Sequence, residues 1–332
     1  MSAAKLPNFF VAGAPKAGTT SLYGYLEQHP QVFMCPLKEP NYFASELRLE
    51  NFTGEGRVTI AREVRALARY LHAERREKRF GGLVTSWDDY VSLFREASNE
   101  LAIGEATPVY LWSPTAPRNI AARIPHAKII VILRNPIDRA FSQYLHMVSV
   151  GYTRRSFTQE IRASLIQRPV NAAPCWPLLE FGRYLEQIRR YCDAFPRSQI
   201  HISLYEDLAY APGALLADLF SFLGVDPAFT PSVSHHDLQP QVPKLRVAAY
   251  YLKKWQVWPY LRKLAPQPLG PRIRALLVRS RNSLMMEPED RAFLTDYYRE
   301  EIEKLAGLLG RDLASWLVPG PHDSTRYKIQ FP

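Results

Sequence analysis

Short apolar runs that stop at glycine or proline alternate along this chain with stretches of helical spacing. Residues 8–14 (NFFVAGA) are apolar and end at a glycine, which predicts a buried strand. PKAGTT (15–20) follows as a loop, and SLYGYLEQHP then places Leu22, Tyr25 and Leu26 at helical spacing. His29-Pro30 ends that helix, because the residue before a proline avoids the helical region. AKIIVILRNP (127–136) is a β-branched run and the clearest buried strand; it stops at Arg134-Asn135-Pro136, and DRAFSQYLHMV continues as a helix. LAIGEATP (101–108) and SQIHISLYEDL (198–208) each predict a strand followed by a loop. PGALLADLFSFLG (212–224) predicts a helix with a glycine stop, and EPEDRAFLTDYYREEIEKLAGLLG an amphipathic helix with early acidic residues and Gly310 as its stop.

This alternation implies an α/β chain: a P-loop-like, three-layer fold with a central parallel sheet flanked by helices. Such sheets bind ligands beyond the carboxyl ends of their strands. Lys16 and Arg134 both stand just past strand ends, so two anion-handling residues are placed to face one ligand. Residues 46–100 are less periodic. They carry the charge run AERREKR (73–79) and a helix at WDDYVSLFREA, and read as an insertion on the core sheet. With no internal repeat, the expectation is one domain over residues 1–332.

Composition narrows the partners. The chain has 332 residues, 47% of them apolar and 22% charged, which supports a full core and excludes wholesale disorder. A formal net charge of +10 favours phosphates, acidic or sulfated glycans, nucleic acid or an anionic membrane surface. Residues 241–286 concentrate that charge: ten Lys or Arg, no Asp or Glu, with Tyr250, Tyr251, Trp255, Trp258 and Tyr260 interleaved. Cys35, Cys175 and Cys192 are odd in number and widely spaced, which argues against a disulfide framework or a zinc ribbon and for reduced thiols. MSAAKLPNFF shows no leader and no apolar run reaches spanning length, so the expected location is cytoplasmic, at most peripheral to a membrane through 241–286.

The segment from Gly13 to Thr20 joins a strand to a helix. Its glycines admit an anion close to the backbone, the first helical amides point at it, Lys16 adds a mobile charge, and Thr19 and Thr20 add hydroxyls. It is not a Walker A loop, whose lysine directly follows the second glycine; here Lys16 precedes Gly18. No plain strand-end Asp offers itself to Mg²⁺, so a metal-dependent kinase is the weaker enzyme reading. The spelling GAPKAGTTSLYGYL resembles the 5′-phosphosulfate-binding loop of sulfotransferases that use 3′-phosphoadenosine 5′-phosphosulfate (PAPS), in the form found in bacterial sulfotransferases and heparan sulfate-modifying domains. KIIVILRNPIDRAFSQYLH (128–146) is similar to that family's 3′-phosphate motif, an arginine at the strand end and a serine eight residues on: Arg134 and Ser142. The resemblance covers most of residues 7–318 and is weak in 46–100 and 241–286. It implies a metal-free enzyme that binds PAPS through Lys16, Ala17, Gly18, Thr19, Thr20, Arg134 and Ser142.

Sulfuryl transfer needs a base for the acceptor proton, positive charge at the bridging oxygen, and in-line attack. Lys16 supplies the charge. The resemblance implies Glu39 of KEPNYF as base, a glutamate three residues before the aromatic pair Tyr42-Phe43; the structural alternative is an ion pair with Lys38 or Lys16. His146, one helical turn after Ser142, is the second catalytic candidate, and His235-His236 reads as a loop feature. Lys244 and Arg246 are candidates to close over the donor's 3′-phosphate, as late basic residues do in related chains. Heparan-acting members often carry a lysine after the glutamate at Glu105, and a cysteine-bounded loop near the C-terminus. Here Ala106 stands in the first place and the loop is missing, which weakens a heparan-type acceptor. The acceptor stays open among glycan, lipid and small-molecule hydroxyls or amines. No nucleic-acid partner is expected, and the contrary reading is a basic module that binds nucleic acid or a membrane surface.

Overall fold

Strand β1 (Phe9–Gly13) is buried along its whole length. The structure, a computed structural model, describes residues 5–52, 54–73, 76–166, 177–232, 242–243, 278–279 and 285–318. After β1 come α1 (Thr19–Leu26), β2 (Val32–Met34), β3 (Leu37–Lys38), α2 (Gly54–Leu71), β4 (Arg79–Phe80), α3 (Trp87–Ser92), β5 (Ala102–Ala106), α4 (Ala116–Arg123) and β6 (Lys128–Leu133). Then follow α5 (Pro136–Ser149), α6 (Phe157–Ile166), α7 (Tyr184–Ala194), β7 (Ile200–Leu204), α8 (Tyr205–Tyr210), α9 (Pro212–Leu223) and α10 (Pro288–Leu309). The described residues form two compact units: one runs to Arg134 and includes 177–232; the other holds 135–166, 242–243, 278–279 and 285–318.

The first unit contains a five-stranded sheet in the order β2-β5-β1-β6-β7, with every pair parallel. Its middle strands are covered on both faces, which is why they read as unbroken apolar runs rather than alternating ones. Phe10 pairs with Glu105 on one side and Ile129 on the other. From β1 the chain travels to the edge strand β2, and from β6 to the opposite edge β7. The loops leaving β1 and β6 therefore diverge and open a crevice at the carboxyl ends of these two neighbours. Beside this sheet, β3 and β4 form a two-residue parallel pair, Leu37 against Arg79 and Lys38 against Phe80.

Local chemistry accounts for the helix limits. Gly224 (φ 81°) and Gly310 (φ 61°) end α9 and α10 in the left-handed conformation, as their positions in the sequence foretell. The helix expected from WDDYVSLFREA is shorter, Trp87–Ser92, opened by Ser86, whose Oγ accepts the Asp89 amide at 3.1 Å. The segment after β7, expected as a loop, is helix α8; the Asp207 carboxylate accepts the Leu204 amide at 2.8 Å and caps it. Helix α2 is not foreshadowed by the sequence pattern. Its apolar stripe is narrow, with Ile60, Leu67 and Leu71 buried, and Ile60 packs with Phe52 and Leu83 while Arg62, Arg65 and Arg69 face outward.

In the second unit α10 packs on α5. Arg291 donates to Asp138 at 2.7 Å, the Thr158 hydroxyl donates to Asp290 at 2.9 Å, and Asn135, the N-cap of α5, donates from Nδ2 to the Trp316 carbonyl at 3.2 Å. No helix among the described residues is long and apolar enough to cross a membrane.

Gly104 of β5 lies under the Phe9 ring, where a Cβ would come within 2.2 Å of ring carbon. Gly104→Ala must push β5 and β1 apart, so it is expected to destabilise the protein by about 1–3 kcal/mol. Denaturant midpoints of the two proteins check this.

Candidate active site at the carboxyl edge of the sheet

The loop after β1 leaves the sheet under tight constraint. The Ala14 amide donates to the Ile132 carbonyl of β6 at 2.7 Å, and the Leu111 amide donates to the Ala12 carbonyl at 2.7 Å. Gly13 needs to lack a side chain, because a Cβ there would meet Leu111 at 2.4 Å. Gly18, at φ 93°, is the N-cap of α1, and a Cβ there would meet Leu208 of α8 at 2.8 Å. Between them Lys16 itself takes a left-handed backbone, φ 68°, a conformation that carries strain of about 1–2 kcal/mol in a residue other than glycine. Thr19 is buried and Thr20 half-buried in the first turn of α1, where the earliest amides have no partner within the helix and no acidic residue competes for them.

Arg134 arrives at this loop from β6. One guanidinium nitrogen donates to the Lys16 carbonyl at 3.0 Å, and the guanidinium stands 4.6 Å from the centroid of the Tyr205 ring. The Tyr184 hydroxyl donates to the Arg134 carbonyl at 2.9 Å. Lys16, Ala17, Gly18, Thr19, Thr20 and Arg134 thus form one cationic, donor-rich corner, a fit for an anion of several oxygens. Tyr184 and Tyr205, which orient the arginine, escape a reading of the sequence because their contacts span fifty residues or more. Of the other donor-site candidates, Ser142 is buried on α5 with His146 one turn later and half-buried, both in the second unit. Lys244, Arg246, the 241–286 segment apart from two short strands and Met285-Met286, and the pair His235-His236 lie outside the described residues.

Glu39 stands on the same edge. Its amide donates to the Ala106 carbonyl at the end of β5, the neighbour of β1. Lys38, buried to 1% exposure, donates to Glu39 Oε1 at 2.5 Å, while the Glu39 side chain keeps 32% exposure. The ion pair weighed from the sequence is thus present, with Lys38 as partner. Glu39 has φ 66° and Asn41 φ 58°, so the turn Glu39-Pro40-Asn41 holds two left-handed residues without a glycine. Asn41 Nδ2 clamps it, donating to the Glu39 carbonyl at 2.8 Å and the Gly82 carbonyl at 2.7 Å.

Under this turn lies Glu105, fully buried. Its carboxylate accepts three hydroxyls: Tyr90 at 2.7 Å and Tyr110 at 3.2 Å on Oε1, Thr107 at 2.6 Å on Oε2. Burial pushes its pKa up to about 7, and these hydrogen bonds only partly offset the desolvation. In the sequence Glu105 stands out only as a strand-end acid; the cage of hydroxyls around it is a tertiary fact.

Comparison with known proteins bears on the family. A model described as the sulfotransferase family matches residues 7–231. The chain is 27% identical over 322 residues to bifunctional heparan sulfate N-deacetylase/N-sulfotransferase 2 of Bos taurus, covering 94% of this chain and 31% of that protein. With the type 1 enzyme of Homo sapiens it shares 28% over 327 residues at the same coverage. The chain thus spans about a third of the length of the curated relatives it matches, 31% of each. A sulfotransferase structure from Alicyclobacillus acidocaldarius superposes with a TM-score of 0.69 at 29% identity, over 94% of this chain and 99% of that one.

Glu105 yields a test of stability against pH. Its folded pKa lies above the ordinary value of 4.5, so the folded protein binds the proton more tightly than the unfolded chain does. Its favourable contribution is complete below about pH 4.5 and is lost as the pH rises through about 7, a fall of about 3 kcal/mol. Glu105→Gln is expected to flatten this part of the profile, as read from urea unfolding at a series of pH values.

Proposed function

The chain belongs to the sulfotransferase family, and we propose that it moves a sulfuryl group from PAPS to a hydroxyl or amine of a glycan acceptor, with lipid or small-molecule hydroxyls as the chemical alternatives. The observation that carries the donor reading is the hydrogen bond from Arg134 to the Lys16 carbonyl, which joins two anion-binding motifs 118 residues apart. When bound, PAPS supplies an electrophilic sulfur, whose bond to the bridging phosphate oxygen breaks as the acceptor atom bonds to it.

The side chains carry the remaining work. Lys16, with Thr19, Thr20 and the first amides of α1, holds the 5′ end and offsets the charge that grows on the leaving oxygen. Arg134 addresses the 3′-phosphate with the N–H groups that Lys16 leaves unused, and Ser142 adds a hydroxyl. Lys244 and Arg246 belong to the same reading as closing residues. Glu39 accepts the acceptor's proton. Its half-buried carboxylate is steadied by Lys38 through one oxygen, and the other oxygen has no hydrogen-bond partner among the described residues. His146 is the second proton-handling group. The glycan acceptor rests on the relatives named above, and Ala106, in place of the lysine of heparan-acting chains, argues for an acceptor that differs from heparan sulfate.

Labelled PAPS incubated with glucosamine-containing oligosaccharides and with cell extract tests this reading. Transfer by the parent protein with EDTA present is expected. Lys16→Ala and Glu39→Gln should each lower it by about 100-fold or more, about 2.7 kcal/mol of transition-state stabilisation, while both variants stay folded. Lys16→Ala should also weaken binding of adenosine 3′,5′-bisphosphate in calorimetry, and Glu39→Gln should leave it within twofold. Full transfer in Lys16→Ala would sink the assignment.

A further inference from the structure

We propose that Glu105 is the positioning residue of the Glu39 turn: its buried carboxylate fixes Tyr90 and Tyr110, and these hold the 39–43 segment in place. The inference rests on reading Glu39 as the base.

A buried carboxylate is an unusual choice for a strand. Glu105 makes no ion pair among the described residues; its partners are three hydroxyls. An apolar residue would suit the surrounding core better on stability alone. What the carboxylate adds is direction. Ionised, above a pKa of about 7, it is a pure acceptor and turns three O–H bonds toward itself at once. With its proton committed to Glu105, Tyr110 presents its oxygen as an acceptor, and the Phe43 amide donates to it at 3.3 Å. Tyr90, held by the same Oε1 atom, stacks on Tyr42 with ring centroids 4.8 Å apart and planes 24° apart. Trp87 stacks on Tyr90 at 5.6 Å, and the Arg123 guanidinium lies 4.6 Å from the Trp87 centroid.

The 39–43 segment is therefore gripped at three points, by the end of β5 and by the two tyrosines bound to Glu105. Its first amide, from Glu39, goes to the Ala106 carbonyl; its last, from Phe43, goes to Tyr110; and Tyr42 between them lies on Tyr90. That grip is needed because Glu39 and Asn41 both hold left-handed backbones, which persist only where the surroundings over-determine them. Asn41 fastens the turn to Gly82 from the other side. Glu105 touches no reacting atom in this account and acts through the tyrosines.

The test needs a readout of Glu39 itself. In protein carrying ¹³C-carboxyl glutamate, the Glu39 resonance is identified by its loss in Glu39→Gln. In Glu105→Gln that resonance is expected to shift. Transfer of labelled sulfuryl from PAPS to a glucosamine oligosaccharide should fall in kcat by about tenfold or more with KM for PAPS within twofold. Tyr110→Phe keeps the charge and cuts the link from Glu105 through Tyr110 to Phe43 while leaving Tyr90 and Thr107 on the carboxylate; it should reproduce both effects in weaker form, and it stands in where Glu105→Gln does not fold. An unmoved Glu39 resonance in both variants would overturn the proposal, whatever happens to thermal stability. Full transfer by Glu39→Gln removes Glu39 as base instead, an outcome separate from any movement of the Glu39 resonance.

Discussion

The carboxyl edge of this sheet is organised by the hydrogen bond that Arg134 donates to the Lys16 carbonyl. Parallel pairing of β1 with β6 brings the two strand ends side by side, but it does not aim the loops beyond them. The single N–H···O contact does, because a left-handed Lys16 turns its carbonyl toward Arg134. Tyr205 under the guanidinium and Tyr184 on the Arg134 carbonyl then leave the arginine little freedom. Among the described residues, backbone and ring contacts rather than carboxylates hold the arginine in place. Its charge suits an anionic ligand, in keeping with a chain of net charge +10.

The Glu39 side of the edge is built on the opposite principle. It is layered: Glu105 buried under hydroxyls, two tyrosines above it, and the strained Glu39 turn on top. Rigid aromatic contacts carry the geometry from layer to layer, with Tyr42, Phe43, Tyr90 and Trp87 all within ring-contact distance of one another. The Lys16–Arg134 corner is made mostly of backbone; the Glu39 side is made mostly of side chains.

That contrast explains what the sequence reveals. The strand, loop and helix from Phe9 to Leu26 are legible because glycine positions and apolar runs are local signals, and β6 followed by Arg134 is legible for the same reason. Their meeting accords with the rule that parallel sheets bind ligands past their strand ends. Helix α2 is hidden because arginines outnumber the residues of its narrow apolar stripe, so its periodicity is faint beside its charge. The left-handed backbones of Glu39 and Asn41 leave no local trace, since neither residue is glycine and the bonds that sustain them come from Gly82 and Ala106. Tyr90 and Tyr110 flank Glu105 at fifteen and five residues, spacings that match no helix or strand period.

Lys38 sets the ionic character of the Glu39 turn. Its ammonium group is buried to 1% exposure and stands 2.5 Å from Glu39 Oε1, while the Glu39 side chain keeps 32% exposure. The Phe80 ring lies 6.0 Å from the same ammonium group. Little water reaches the lysine to screen the pair, so the attraction holds the carboxylate in place more firmly than an exposed ion pair would. On the proposed reading of Glu39 as base, a proton taken up there leaves a desolvated Lys38 beside a neutral neighbour, and loss of that proton restores the pair.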